Sequence, residues 1–170
     1  DTGNAANYEN AAEGYVHYLH GTNPQGKIML TAMSDYGGDK SCNEIYHIWF
    51  GDGTDYDNAE TSLYGPPPAY VPGGANPTYA PDDDYTGPTI SPPVSQPIQK
   101  SYKDWNTSYP ENSWSVTETA IYYQASYVQL LAAFASSSAV LPLELDNLSA
   151  NLNEENHIQL SWDVITFENI

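Results

Sequence analysis

The apolar residues of this chain have helical spacing near its start and in its middle, and they alternate with polar residues near its end. Residues 5 to 20 carry the first helical pattern. The apolar side chains predicted to share one face of this helix are Ala12, Tyr15, Val16 and Leu19. Because Gly21 is a residue type that closes helices and Pro24 prevents their continuation, we expect the helix to end near residue 20.

The clearest helical pattern covers residues 115 to 136 and overlaps the run SWSVTETAIYYQASYVQLL, residues 113 to 131. Its predicted apolar stripe consists of Ile121, Ala125, Val128, Leu131 or Ala132, and Phe134. Ser115 followed three residues later by Glu118 has the form of a capping box, in which the Glu side chain holds the helix start. The local sequence therefore leaves two interpretations of Glu118, a helix cap or a proton donor at the helix mouth.

Alternation with period two begins after residue 139 and predicts a β-hairpin around the polar turn NEEN, residues 153 to 156. The alternating apolar positions before and after this turn are Leu141, Leu143, Leu145, Ile158, Leu160 and Trp162. A lone hairpin is marginally stable in water, so these residues suggest the start of a second domain.

Between the two long helical patterns, residues 64 to 97 hold ten of the 13 prolines, which excludes a helix or a central strand. Disordered linkers are usually poor in aromatic residues. This segment carries four tyrosines, Tyr64, Tyr70, Tyr79 and Tyr85. We therefore expect a long ordered loop, and such loops are often functional.

The charge of the chain narrows its possible partners. There are 22 Asp and Glu against 4 Lys and no Arg, and the formal net charge is −18. Nucleic acids and anionic membrane surfaces are bound through cationic side chains, so we expect neither as a partner. No hydrophobic run has transmembrane length, so we do not expect a membrane-spanning helix either. The 15 Tyr and 4 Trp suit either half-buried positions or an aromatic surface for a neutral polymer.

Two acidic clusters are candidate calcium sites because carboxylate oxygens are the ligands that calcium prefers. They are Asp52, Asp55 and Asp57, and the run Asp82, Asp83 and Asp84. Neither cluster fits the spacing of an EF-hand loop, and solvated loop charge is the alternative interpretation. The single cysteine, Cys42, excludes an internal disulfide and a cysteine-based zinc site. Apart from calcium at these acidic clusters, we expect no cofactor.

Three segments occur in a fixed order: YVHYLHGTNPQGKIMLTAMSDYGGDKSCNEIYHIWFGDG, SLYGPPPAYVPGGANPTY and QKSYKDWNTSYPENSWSVTETAIYYQASYVQLLA. Together they resemble the C-terminal part of the catalytic domain of glycoside hydrolase family 9, the inverting cellulases, over roughly residues 5 to 136. The resemblance implies a mainly α fold, a partial (α/α)6 barrel with long Pro- and Gly-rich loops, plus the short C-terminal β-hairpin. It also implies an open cleft for a glucan chain.

The resemblance assigns the role of general acid to Glu118. The closing helix of the family begins with a motif of the form Asn-Glu-x-Ala-x-Asp-Tyr-Asn-Ala, in which the Glu protonates the leaving oxygen. Here the matching run is TETAIYYQA, residues 117 to 125. It agrees with the motif at Glu118, Ala120, Tyr123 and Ala125, and departs from it at Thr117, Tyr122 and Gln124.

The resemblance also implies a substrate-binding His, which falls on His47 within DYGGDKSCNEIYHIWF. The family has an Arg two residues later, whereas this chain has none, so that role is vacant or is supplied by the Trp49 face or a Tyr46 hydrogen bond. The glucan-binding residues implied in this way are His47, Tyr46, Trp49, Tyr123 and Trp114. A histidine packed in an aromatic cluster is the alternative interpretation of His47.

An inverting glycosidase needs a second carboxylate that activates water on the opposite side of the bond. In the family this base is an Asp in an Asp-Ala-Gly-Asp-type motif, which is not found in this sequence. We therefore expect a fragment of an endoglucanase that acts on β-1,4-glucan and holds the acid without its base. The alternatives are a non-catalytic glucan-binding protein and a half-enzyme complemented by a separate N-terminal chain.

The predicted domain boundary separates residues 1–138, the glycosidase part, from residues 139–170, the truncated start of a β-sandwich module. The latter residues resemble the immunoglobulin- or fibronectin-like modules that follow catalytic domains in secreted proteins. This implies an extracellular or cell-surface location, with a signal sequence upstream. Because part of a helical barrel exposes apolar helix faces, we also expect self-association.

Overall fold

In the computed structural model of the protein, the described residues are 4–135, 144–152 and 158–165, and the chain divides into two compact units, residues 1–132 and 133–170. Within the described residues, the first unit contains three α-helices and a two-stranded parallel sheet, and the second contains an antiparallel strand pair. The elements are α1 (Ala5–Leu19), β1 (Ile28–Thr31), β2 (Ser41–Cys42), α2 (Trp114–Thr117), α3 (Ile121–Ala132), β3 (Glu144–Leu152) and β4 (Ile158–Ile165). The partial (α/α)6 barrel stays a prediction.

Helix α1 confirms the helix predicted at the start of the chain, and three of the four residues of its predicted face are half-buried, namely Ala12, Val16 and Leu19. Tyr15 was expected to be buried and is 67% exposed, whereas Tyr18 and Leu19 pack against the core. The chain leaves the helix through Gly21, whose φ of 106° lies in the left-handed region that glycine tolerates. His20 Nε2 then lies 2.8 Å from the Tyr127 hydroxyl, which links the end of α1 to α3.

The core of the first unit forms between β1, β2 and the loops that follow them. Its buried members are Met29, Cys42, Tyr79, Ile90, Tyr102, Trp105 and Val116. The Tyr79 and Trp105 rings meet edge to face at 5.5 Å between centroids, which is a favoured aromatic geometry. Burial raises the pKa of the Cys42 thiol to about 12, so this cysteine is a packing residue and not a nucleophile.

The proline-rich segment is an ordered loop that packs against this core, as its tyrosines predicted. Tyr79 and Ile90 are core members, and Pro72 and Pro93 are fully buried. The Tyr79 hydroxyl donates a hydrogen bond of 2.6 Å to the Glu111 carbonyl oxygen, so the middle of the loop is fixed to the segment that precedes α2.

The prediction of one continuous helix over residues 115 to 136 is wrong. The helix stops at Thr117, and Glu118 has φ −62° and ψ 127°, which is extended backbone. A new helix, α3, begins at Ile121. The physical reason lies outside the segment, because the extended backbone of Glu118 pairs with Tyr46, whose N–H donates to the Thr117 carbonyl at 3.2 Å.

The apolar stripe predicted for this region is also exposed in the structure. Ile121 is 89% exposed, and Val128 and Phe134 are exposed too. The buried residue of α3 is instead Tyr127, whose hydroxyl reaches His20. Exposed apolar helix faces favour association with other apolar surfaces. Self-association of this chain stays a prediction.

The second unit confirms the predicted hairpin, because β3 and β4 pair in antiparallel register with Leu145 opposite Val164 and Ala150 opposite Leu160. The register shifts between Asp146 and Ser149, which indicates a bulge. The predicted apolar residues Leu141 and Leu143 and the turn at 153 to 156 lie outside the described residues. The β-sandwich module stays a prediction.

No α-helix in the described part of the chain combines the length and apolar character needed to cross a membrane.

Asp104 fixes the segment that follows β2. Its carboxylate accepts hydrogen bonds from Lys27 Nζ at 2.7 Å, from the Asn43 N–H at 2.9 Å and from the Glu44 N–H at 3.1 Å. Lys27 Nζ also donates to the Ser41 carbonyl at 3.0 Å. This half-buried network holds the chain between β2 and Tyr46 in position.

Asp104→Ala is expected to lower the free energy of unfolding by about 2–4 kcal/mol, because one ammonium and two backbone N–H groups lose their acceptor. Urea denaturation measures this change. The matched control is Asp83→Ala, since Asp83 is exposed, and it is expected to change stability by no more than about 0.5 kcal/mol. Equal stability of the two variants would contradict the role of Asp104.

Candidate functional site

Two open grooves meet at Thr119 and Ala120, the residues between α2 and α3. The acid groove has a volume of about 480 Å3, and its lining includes Gly73, Gly74, Asn76, Trp114, Glu118 and Tyr123. The aromatic groove has a volume of about 500 Å3, and its lining includes His47, Trp49, Phe50, Tyr70, Ile121 and Gln124. Five of the six predicted site residues therefore line one of two neighbouring grooves.

Glu118 lies on the acid groove and is exposed to solvent. The proposed capping box is wrong, because the Ser115 hydroxyl donates to the Asn112 carbonyl at 3.2 Å, and the short helix α2 has Ser113 as its N-cap without a side-chain cap bond. Glu118 follows the last residue of that helix. Its carboxylate is thus available to the groove and not engaged in a capping box.

The opposite side of the acid groove is formed by the Gly73–Gly74 turn of the proline-rich loop. The Gly74 N–H donates to the Val116 carbonyl at 2.7 Å. A Cβ atom on Gly73 would lie 2.5 Å from the Val116 oxygen and 3.2 Å from the Glu118 oxygen. Only glycine allows the loop backbone to approach the Glu118 turn this closely.

Gln124 holds the same loop from the α3 side, a role that the sequence did not reveal. The Val71 N–H donates to Gln124 Oε1 at 2.9 Å, and Gln124 Nε2 donates back to the Val71 carbonyl at 2.9 Å. The Thr119 hydroxyl also donates to that carbonyl, at 3.0 Å. There was one sequence signal for this role: Gln124 replaces the Asn of the family motif, and both side chains are amides.

Aromatic rings follow one another on the side of the aromatic groove. The His47 ring lies 5.3 Å from Trp49 and 6.1 Å from Phe50, measured between centroids. Trp49 is 70% exposed, so it offers a large face to a ligand. His47 Nδ1 is buried and has no hydrogen-bond partner among the described residues, and the half-buried ring supports both a packing role and a binding role.

Tyr46 lines neither groove. Its ring hydroxyl lies 3.5 Å from Ser108 Oγ, and its backbone forms the bridge to Glu118. The structure supports a positioning role for Tyr46, because its backbone holds the backbone of Glu118 in place. A direct contact between Tyr46 and a glucan stays a prediction.

Tyr123 and Trp114 flank Glu118 in the acid groove. The neighbouring Tyr122 hydroxyl raises the pKa of Tyr123, and burial and the negative charge of Glu118 act in the same direction. Tyr123 is therefore a neutral hydrogen-bonding phenol near Glu118 at physiological pH. Trp114 is partly exposed, which leaves its face available for stacking.

The acidic clusters have protein partners. Asp57 accepts hydrogen bonds from the Gly53 N–H and from Asn106 Nδ2, both at 2.8 Å, and Asp84 accepts one from the Tyr109 hydroxyl. Among the described residues there is no group of three or more side chains placed to hold a metal ion. These contacts support the interpretation of the clusters as loop charge.

Comparison with known protein families matches residues 1–131 to the family model described as glycosyl hydrolase family 9. This is more than half of the chain. Comparison with curated proteins finds no match, and comparison with solved structures finds none either.

Gly73→Ala is expected to lower the free energy of unfolding by about 1–3 kcal/mol, because the added methyl group overlaps backbone atoms that cannot move aside cheaply. The matched control is Gly14→Ala within α1, where a Cβ meets nothing within 4 Å. That substitution should be neutral or stabilise by up to about 1 kcal/mol. Denaturant unfolding of both variants checks the difference, and a Gly73 variant as stable as the control would refute the close approach.

Proposed function

Because this chain belongs to glycosyl hydrolase family 9, we propose that it supplies the general acid and part of the substrate surface for the inverting hydrolysis of β-1,4-glucan. Membership supports a glycoside hydrolase function of the cellulase type and a polysaccharide substrate. The observation that carries the finer proposal is the position of Glu118, which lines the acid groove directly before the residues shared by the two grooves and lies outside any regular helix.

Glu118 would protonate the glycosidic oxygen as the bond to the leaving sugar breaks. A carboxylic acid does this efficiently when it is protonated near the working pH, and a second carboxylate nearby raises its pKa in that direction. The Tyr123 phenol, which lines the same groove, would hydrogen-bond a sugar hydroxyl or the Glu118 carboxylate. Trp114 and Trp49 would stack on the C–H faces of sugar rings in the two grooves.

The second carboxylate would activate water on the opposite face of the sugar, about 6.5–9.5 Å from the acid. We propose that it comes from a segment outside these 170 residues, because the family's Asp-Ala-Gly-Asp motif is not in the sequence. The exposed apolar face of α3 gives such a segment a surface to pack against. In this proposal the chain acts as part of a larger catalytic unit, exported to the cell surface or beyond.

The exposed aromatic rings favour a second candidate function, which is binding of glucan without hydrolysis. Trp49, Trp114 and Tyr122 are all exposed on or beside the grooves. Stacking on sugars needs these faces but needs no second carboxylate. In a third alternative, the chain is a half-enzyme that binds glucan alone and hydrolyses it only when a separate chain supplies the base.

Glu118→Gln is expected to reduce turnover of carboxymethylcellulose and cello-oligosaccharides by at least about 100-fold, because the amide has no proton to donate. The assay uses this chain together with the N-terminal half of a family 9 catalytic domain. A dinitrophenyl cellobioside, whose leaving group needs no protonation, should be affected far less. This contrast separates a general acid from a structural carboxylate.

The matched control is Glu60→Gln, since Glu60 is exposed and lines neither groove. Equal activities of the Glu60 and Glu118 variants would overturn the assignment of Glu118. Robust turnover by the isolated chain, abolished by Glu118→Gln, would refute an external base. Binding of glucan without turnover, with or without the added half, would instead support the binding function.

A further inference from the structure

A small pocket lies between two exposed tyrosines and is not part of either groove. Its volume is about 170 Å3, and its lining includes Ser34, Asp35, Tyr36, Ala59, Tyr64 and Pro66. Tyr36 is 70% exposed and Tyr64 is 65% exposed. Two aromatic faces beside a hydroxyl and a carboxylate provide both stacking and hydrogen bonding to a polyhydroxylated ligand.

Both sides of this pocket are anchored to β1. Tyr36 ends the short 3-10 turn Ser34–Tyr36, which directly follows β1 and is closed by the Tyr36 N–H bond to the Met33 carbonyl at 2.9 Å. On the other side, the Ala69 N–H donates to the Thr31 carbonyl at 2.8 Å, and the Thr31 N–H donates to the Tyr70 carbonyl at 2.9 Å. Strand β1 therefore holds the backbone segments on both sides of the pocket.

Tyr64 itself is held in place. Its N–H and that of Gly65 both donate to the Asp55 carbonyl, at 2.9 and 3.2 Å. Gly65 has a φ of 65°, and a Cβ there would lie 2.8 Å from the Ala59 Cα, so only glycine permits this approach. The Tyr64 ring stacks on Tyr56, with centroids 5.3 Å apart and planes inclined by 27°.

The Tyr64 ring belongs to a continuous series of aromatic contacts that ends at the aromatic groove. Tyr56 contacts Phe50 with centroids 6.4 Å apart, and Phe50 contacts His47 with centroids 6.1 Å apart. Residues 47–64, which supply this series, include Asp52, Asp55, Asp57 and Glu60 and no Lys or Arg, which suits a neutral ligand and disfavours an anionic one.

We propose that the pocket between Tyr36 and Tyr64 binds a glucosyl unit of a β-1,4-glucan chain, as a site separate from the grooves around Glu118. The choice of this ligand rests on the proposed function, whereas the pocket itself rests on its own geometry. Tyr64 and Tyr36 stack on the sugar, and Asp35 and Ser34 hydrogen-bond its hydroxyl groups. The site increases affinity for glucan and takes no part in bond cleavage.

The test measures the Kd of cellohexaose by calorimetry in the Glu118→Gln background, so that no substrate is consumed. Tyr64→Ala and Tyr36→Ala are each expected to weaken binding about three- to tenfold, the effect of one lost aromatic contact. Tyr64→Phe keeps the ring and should bind within about twofold of the parent. Tyr8→Ala is the matched control, because Tyr8 is 70% exposed on α1 and does not line the pocket.

A second measurement follows the backbone amide signals of residues 34–36 and 59 by NMR during titration with cellobiose. Shifts there that are lost in Tyr64→Ala support the site, and this variant is checked for an unchanged melting temperature. Affinities of Tyr64→Ala and Tyr36→Ala equal to that of Tyr8→Ala, or no shifts in these residues, would overturn the proposal. Neither outcome depends on hydrolysis, so failure of Glu118 as the acid remains distinguishable from failure of this site.

Discussion

The candidate site depends on the close backbone approach between Gly73–Gly74 and the turn at Val116–Glu118. The hydrogen bond from the Gly74 N–H to the Val116 carbonyl is 2.7 Å long, and no side chain fits at Gly73. This contact joins the proline-rich loop to the helix that precedes Glu118. It gives the acid groove two sides and sets the backbone from which Glu118 extends.

A proline-rich loop needs such external partners to be ordered. Proline donates no backbone hydrogen bond, so the loop forms few internal ones. Gln124 and Thr119 compensate by bonding Val71, and Thr31 of β1 bonds Ala69 and Tyr70. The same partners shape both candidate surfaces, because residues 73 and 74 of the loop line the Glu118 groove and residues 64, 66 and 68 line the Tyr64 pocket.

The candidate functional surface of this chain is aromatic and acidic, in agreement with its charge of −18. Rings from His47 to Tyr64 lie in contact along one side of the first unit, and Trp114 and Tyr123 lie beside Glu118. Sugars bind to such surfaces through their C–H faces and hydroxyl groups, without a charge of their own. Family membership and surface chemistry therefore point to the same class of ligand.

The sequence by itself determined the elements that rest on local spacing, which are α1 and the β3–β4 hairpin, as well as the proline-rich loop. It also identified Glu118 as the candidate acid, because the family motif that contains it is a run of neighbouring residues, 117 to 125. Only the tertiary structure decided that the helix breaks at Glu118, that Tyr127 and not the predicted stripe is buried in α3, and that Gln124 supports the loop. The reason is that these features depend on Tyr46, His20 and Val71, which are distant in sequence, and periodicity carries no information about such partners.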